Sequence, residues 1–148
     1  MSAPDLSKRR LKLWIRLLAL TRRSEARLRE YLRIEHATTL PRFDVMAALW
    51  RRRDGLTMGE LSRMLLVSNG NATAVVTRLE ADGLVRRQPG SDRRQVTVGL
   101  TGAGAAMFEE LAAGHEAEVD AIFDGLDEDD LEVMRALLRK TEMSHENA

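Results

Sequence analysis

Between Thr57 and Leu100 the chain carries helix and turn signals so closely spaced that few folds can accommodate them. Thr57 followed by Glu60 is a capping box: the hydroxyl accepts from a free amide of the first helical turn, and the glutamate reaches back to the cap. The helix it opens closes near Leu65. Ser68 offers a second N-cap, and Ala72, Val75, Val76 and Leu79 recur at helical spacing until Asp82-Gly83 ends the segment. LVRRQ and QVTVGL follow as two short strands joined through Pro89-Gly90, the second alternating Val96, Val98 and Leu100 onto one face. Two short helices, a tight turn and a two-stranded hairpin predict a helix-turn-helix with an appended wing.

The flanking segments are helical. From Ser7 to Ile34 apolar residues recur at Leu11, Trp14, Ile15, Leu18, Leu28, Tyr31 and Leu32, with arginines on the other faces. At about 1.5 Å per residue such a helix is too long to bury itself in a small unit, so it is expected to pack on another chain. HATTL leads to Pro41, which suits the first turn of a helix running through Phe43, Met46, Ala47 and Trp50 to Asp54-Gly55. After the wing, Thr101 caps a helix that reaches Phe123, and Asp124-Gly125 breaks it. A last helix opens on four acids from Asp127 and ends at Arg139-Lys140, in accord with the helix dipole at both ends. The fold class expected is mainly α with a small β-hairpin. Its organisation is an N-terminal dimerisation helix (1–35), a winged helix-turn-helix lobe (36–100) and C-terminal dimerisation helices (101–148).

Charge is unevenly spread along this frame. Residues 1–100 hold 20 Lys and Arg against 10 Asp and Glu, and residues 101–148 hold 3 against 13, so a net charge of zero conceals halves of +10 and −10. A basic first part points to a polyanionic partner. The chain has no cysteine, which excludes disulfides and thiol-based sensing. His36, His115 and His145 have no ligand spacing, so neither a metal nor another cofactor is expected. No apolar run reaches the roughly 20 residues that span a bilayer. An arginine interrupts the apolar stretch of the N-terminus, and no small-residue cleavage site closes it. No membrane association is expected, and the expected location is cytoplasmic.

Double-stranded DNA is the polyanion that this arrangement suits. The first turns of the helix after Ser68 display Ser68, Asn69, Asn71, Thr73 and Thr77, small or amide side chains able to bond bases or phosphates. Gly70 lets the backbone approach closely, and the free amides of the helix start favour a phosphate. N-capping accounts for Ser68 but not for both asparagines. The hairpin tip GSDRR carries Arg93 and Arg94, and arginine is the usual insertion into a narrow, electronegative minor groove. Asp92 is expected to hold a neighbouring guanidinium and so shape the tip. Arg86 and Arg87, at the base of the wing, are placed to meet flanking phosphates. Catalysis is not expected: the acids cluster where a helix dipole explains them, and GSDRR and TGAGAA match no phosphate-loop spacing. A winged-helix interaction module without specific DNA binding is the alternative reading.

Asp92, Arg94, Leu100 and Thr101 spell D-x-R, five residues, then L-T, which resembles the wing signature of the MarR family of bacterial transcriptional regulators. The preceding RLEADGLVRR and the order of elements over essentially the whole chain resemble that family too. The resemblance implies a homodimer built by the first and last two helices and reading a near-palindrome with halves about 10 base pairs apart. It implies that Arg94 or Arg93 enters the minor groove, that Asp92 orients it, and that Thr73 contacts base or backbone. Ala74 stands where some members place a base-reading arginine, so their base preference does not carry over. LPRFDVMAAL and VSNGN are similar to a branch regulating aromatic-acid catabolism, which implies a repressor responsive to an aromatic acid or its coenzyme A thioester. Trp14, Leu18, His36, Arg42, Phe43, Met46 and Trp50 are then the candidate ligand-binding residues. Arg42 would pair with a carboxylate or phosphate, and Trp14 or Phe43 would stack on a ring. A core stripe at helical spacing is the other reading of Trp50, Phe43 and Met46.

Overall fold

The computed structural model describes residues 3–65, 69–90, 92 and 94–146. Its elements in chain order are α1 (Ala3–His36), α2 (Leu40–Arg51), β1 (Leu56–Thr57), α3 (Met58–Leu65), α4 (Asn69–Ala81), β2 (Val85–Pro89), β3 (Val96–Leu100), α5 (Gly102–Ile122) and α6 (Glu128–Glu146). The class is mainly α with a small antiparallel sheet, as expected.

Local bonds explain most boundaries. At the end of α1, Ala37 takes φ 50°, and the amides of Ala37 and Thr38 donate to the carbonyls of Arg33 and Leu32. This is a left-handed helix cap in which alanine stands where glycine is favoured, at a cost of about 1–2 kcal/mol. The Thr39 side chain accepts from the amide of Arg42 and so caps α2, with Pro41 in its first turn. The capping box before α3 forms in both directions: Glu60 N–H donates to Thr57 Oγ1 at 3.2 Å, and Thr57 N–H to Glu60 Oε1 at 3.3 Å. Those bonds hold the Glu60 carboxyl below its ordinary pKa. Thr101 caps α5 through the Gly104 amide at 3.0 Å while donating to the Gly83 carbonyl at 2.6 Å.

Gly104 explains the glycines of TGAGAA better than any ligand loop. A Cβ there would run into the Leu84 carbonyl, so glycine lets α5 lie against the chain entering β2. α6 opens on a reciprocal pair in which Asp127 and Asp130 each accept the other's amide. It continues to Glu146 rather than ending at Arg139-Lys140, and α1 likewise extends the expected Ser7–Ile34 helix at both ends.

The sheet departs from the expected two-stranded hairpin. Leu56 and Thr57 form a third strand, and the order is β1-β3-β2 with Leu56 opposite Val98 and Thr57 opposite Thr97. Val98 is fully buried, whereas Val96, expected on the same inner face, is 51% exposed near the hairpin end. The core gathers Leu32 of α1, Val45, Met46 and Leu49 of α2, Leu61 of α3, Val76 and Leu79 of α4, Leu56, Val85 and Val98 of the sheet, and Leu111 of α5. Full burial of each such side chain contributes about 1.5–3 kcal/mol.

Outside this core, large apolar side chains of α1 and α6 are exposed. Leu11, Leu13, Trp14 and Ile15 of α1 are exposed, and α6 has no buried residue although it carries Leu131, Val133, Leu137 and Leu138. Among the described residues no helix is long and apolar enough to cross a membrane.

Candidate nucleic-acid interface

Helix α4 is anchored by Ala72, Val76 and Leu79, which are buried, and this fixes what its other faces present. Asn71, Thr73 and Thr77 are exposed. Thr73 and Thr77, one turn apart, share a face. Thr77 turns toward β2: its hydroxyl donates to the Thr73 carbonyl at 2.9 Å and accepts from Arg87 Nη2 at 3.1 Å. Asn71 lies on another side, where with Ala74, Val75 and Arg78 it lines a groove of about 670 Å³ whose opposite walls are α1 and α2. Asn69 is the first residue of α4, with its side chain outside the description. Ser68 and Arg93 lie outside the described residues.

The wing sorts its arginines by strand alternation. Val85 and Arg87 fall on one face of β2 and Arg86 on the other. Val85 is buried, so Arg87 points to the helices. Its Nη1 lies 2.8 Å from Glu80 Oε1, and its amide donates to Glu80 Oε2 at 3.3 Å. Arg87, expected to meet phosphate, is thus engaged within the lobe. Arg86 is exposed and makes no ion pair among the described residues.

At the tip, Asp92 Oδ1 accepts from the backbone amide of Arg94 at 3.2 Å, and no ion pair joins the two side chains. The other neighbouring guanidinium, that of Arg93, lies outside the described residues. A carboxylate two residues before an amide closes an Asx turn with it, which a flexible guanidinium has to compete against. Gln95 N–H donates to the Asp92 carbonyl and Gly90 N–H to the Gln95 carbonyl, closing the loop. Arg94 is left exposed.

Among the described residues, most of the expected ligand-binding side chains are engaged in contacts within the chain. Phe43 and Met46 are core: Phe43 stacks between Phe108 and His115, whose ring centroids lie 5.6 and 4.1 Å away. Trp50 packs on Phe108 and lies under the Arg53 guanidinium. Arg42 is paired with Asp82 at 2.7 Å, and His36 bonds the Tyr31 hydroxyl at 2.8 Å. Trp14 is exposed and Leu18 half-buried, on the part of α1 that precedes its buried Leu32. The helical stripe of Phe43, Met46 and Trp50 packs the core because α5 lays Phe108 and His115 across it.

The groove beside α4 was not foreseen, nor were the roles of Glu80 and Asp82. Its walls include Glu25 and Arg29 of α1, Leu40, Asp44 and Val45 of α2, and Arg78 of α4. Desolvation and the nearby Glu25 charge raise the Asp44 pKa, against Arg29 and Arg51. The sequence holds a signal for the two acids: both stand at the C-terminal end of a helix, where the dipole disfavours negative charge.

The MarR family profile matches residues 38–96, the stretch from the cap of α2 into β3. A MarR family transcriptional regulator from Silicibacter pomeroyi is 32% identical, with a TM-score of 0.78 over 98% of this chain and 99% of that one. The chain belongs to the MarR family of transcriptional regulators. A mutant MarR from E. coli, solved in complex with operator DNA, gives 27% identity and a TM-score of 0.78 over 93% and 98% of the two chains. BpsR of Bordetella bronchiseptica, whose DNA binding is regulated by 6-hydroxynicotinic acid, gives 26% identity and a TM-score of 0.73 over 85% and 89%. Within the MarR frame, α3 and α4 are the helix-turn-helix, and β2 and β3 form the wing.

Proposed function

We propose that this MarR-family chain is a ligand-responsive repressor that binds a near-palindromic operator as a homodimer. The first turns of α4, with Thr73, enter the major groove. Arg94 at the wing tip enters the adjacent minor groove, and Arg86 meets a phosphate beside it. The observation that carries this reading is the bond network from Arg87 to Glu80 and Thr77. It ties the wing alongside α4 while Thr73, Arg86 and Arg94 stay exposed. The MarR neighbour bound to operator DNA supports it.

Dimerisation rests on the arms. The leucines of α6 and the Leu11–Ile15 stretch of α1 are apolar faces that a second copy would cover. The effector we propose is an aromatic acid, free or as its coenzyme A thioester, held in the groove between α1, α2 and α4 rather than among the residues first expected. Leu40, Val45 and Val75 offer apolar walls to a ring, and Arg78 a partner for a carboxylate. A ligand there touches α4 directly and so shifts the population of DNA-competent geometry. BpsR, regulated by an aromatic acid, supports the class.

A mobility-shift titration with the DNA upstream of the protein's own gene, at 50 and 200 mM salt, tests the reading. It predicts a specific complex whose affinity falls by about 10³-fold or more across that range, through release of counterions from the phosphates. Benzoate at millimolar concentration should weaken it. A complex that ignores salt, or none, contradicts DNA binding, and a salt-sensitive complex that ignores aromatic acids removes only the effector.

A further inference from the structure

We infer that Glu80 is a positioning residue for DNA binding: through Arg87 it holds the wing at a fixed angle to α4. The inference rests on the reading above, in which α4 and the wing together meet DNA.

Two features make Glu80 costly where it stands. It lies in the last turn of α4, at the negative end of the helix dipole. It also sits beside a surface that approaches a polyanion, where another carboxylate repels. Asp82, next along, shares both disadvantages and is occupied by Arg42 of α2 at 2.7 Å. Glu80 uses both of its oxygens on one residue of β2. Oε1 takes the Arg87 guanidinium at 2.8 Å, and Oε2 takes the Arg87 amide at 3.3 Å. The same guanidinium reaches Thr77 Oγ1, and that hydroxyl donates to the Thr73 carbonyl.

One carboxylate therefore grips the backbone and the side chain of Arg87, which pairs with Val98 in the middle of the hairpin. Attachment at two points restricts rotation of the hairpin about its own axis as well as its distance from α4. Arg94 lies beyond the far end of that hairpin, so angular slack at Arg87 becomes displacement of the tip. The pair is partly exposed, and exposed pairs add little to stability. Its consequence is geometric.

Charge alone and the brace predict opposite signs. If Glu80 acts only as a charge near DNA, removing it tightens binding. If it positions the wing, removing it weakens binding although the protein has become more basic.

The test uses full-length Glu80→Gln. In the free protein, ¹⁵N relaxation at the amides of Gln88 and Thr97 should show larger wing motion than in wild type, with Tm changed by no more than a degree or two. Operator binding by fluorescence anisotropy should weaken about tenfold, the loss expected when a supporting contact loosens a binding group. Its salt slope should stay unchanged, because Glu80 displaces no counterion. In a Glu80→Gln/Arg87→Gln double variant the losses should not multiply, since both changes cut one connection. Unaltered wing relaxation overturns the inference, as does binding equal to or tighter than wild type, or losses that multiply. If wild type forms no operator complex, the DNA-binding reading fails while the relaxation result still decides whether the brace exists.

Discussion

In the lobe that runs from α2 to β3, apolar side chains point at one another: Val45, Met46, Leu49, Leu61, Val76, Leu79 and Val98 are each no more than 1% exposed. In α6 the same residue types point outward, and Leu137 is 57% exposed. The lobe completes its core within one chain, with α1 and α5 adding Leu32, Phe108 and Leu111. The arms do not. A leucine in the lobe contributes to folding of the chain, and in the proposed dimer a leucine in α6 contributes to association, so one substitution type should give two phenotypes.

The largest effect expected is in the lobe. Leu49→Ala, at a fully buried position, should cost about 2–5 kcal/mol by lost transfer energy and cavity formation, read as a lower urea midpoint at constant slope. A loss under half a kcal/mol would break the comparison from the lobe side. Next comes the arm. Leu137→Glu should raise the dimer dissociation constant at least about tenfold by sedimentation equilibrium, while circular dichroism of the lobe elements persists. If the variant stays dimeric and melts like a core mutant, α6 packs on its own chain and the contrast fails.

The smallest effect lies at the seam. His115 of α5 stacks on Phe43 of α2, and burial lowers its pKa below the ordinary 6.5. The unfolded chain takes up this proton at a higher pH than the folded one. Its contribution to stability is therefore complete above pH 6.5 and declines as pH falls through that value. A Tm series from pH 7.5 to 5 should slope downward in wild type and flatten in His115→Leu. An unchanged slope would assign the pH dependence to other groups.

What was legible in the sequence is what is settled over a few residues. The capping box of Thr57 and Glu60, the cap Thr101, and the inward set of α4 depend on neighbours within a turn or two, and all are found in the fold. Strand β1 was not legible, because two residues become a strand only by pairing with Thr97 and Val98, some forty positions away. A like separation hid Arg42, whose partner Asp82 comes from another helix, while Arg87 lies only seven residues from Glu80 and meets it because β2 docks back on α4. At Asp92 the charge pattern points to a guanidinium, and the short loop supplies the Arg94 amide as well. The apolar stripe of Phe43, Met46 and Trp50 looks alike whether it lines a pocket or fills a core. The arrival of Phe108 and His115 decides between them.

Hydroxyl-radical footprinting of the operator bound to wild type and to Arg94→Ala tests most directly the claim that paired lobes read successive turns of DNA. The account predicts two protected half-sites about one helical turn apart, each flanked by a minor-groove protection that disappears in the variant while the central protections remain. A single protected patch, or flanks that persist without Arg94, would contradict it.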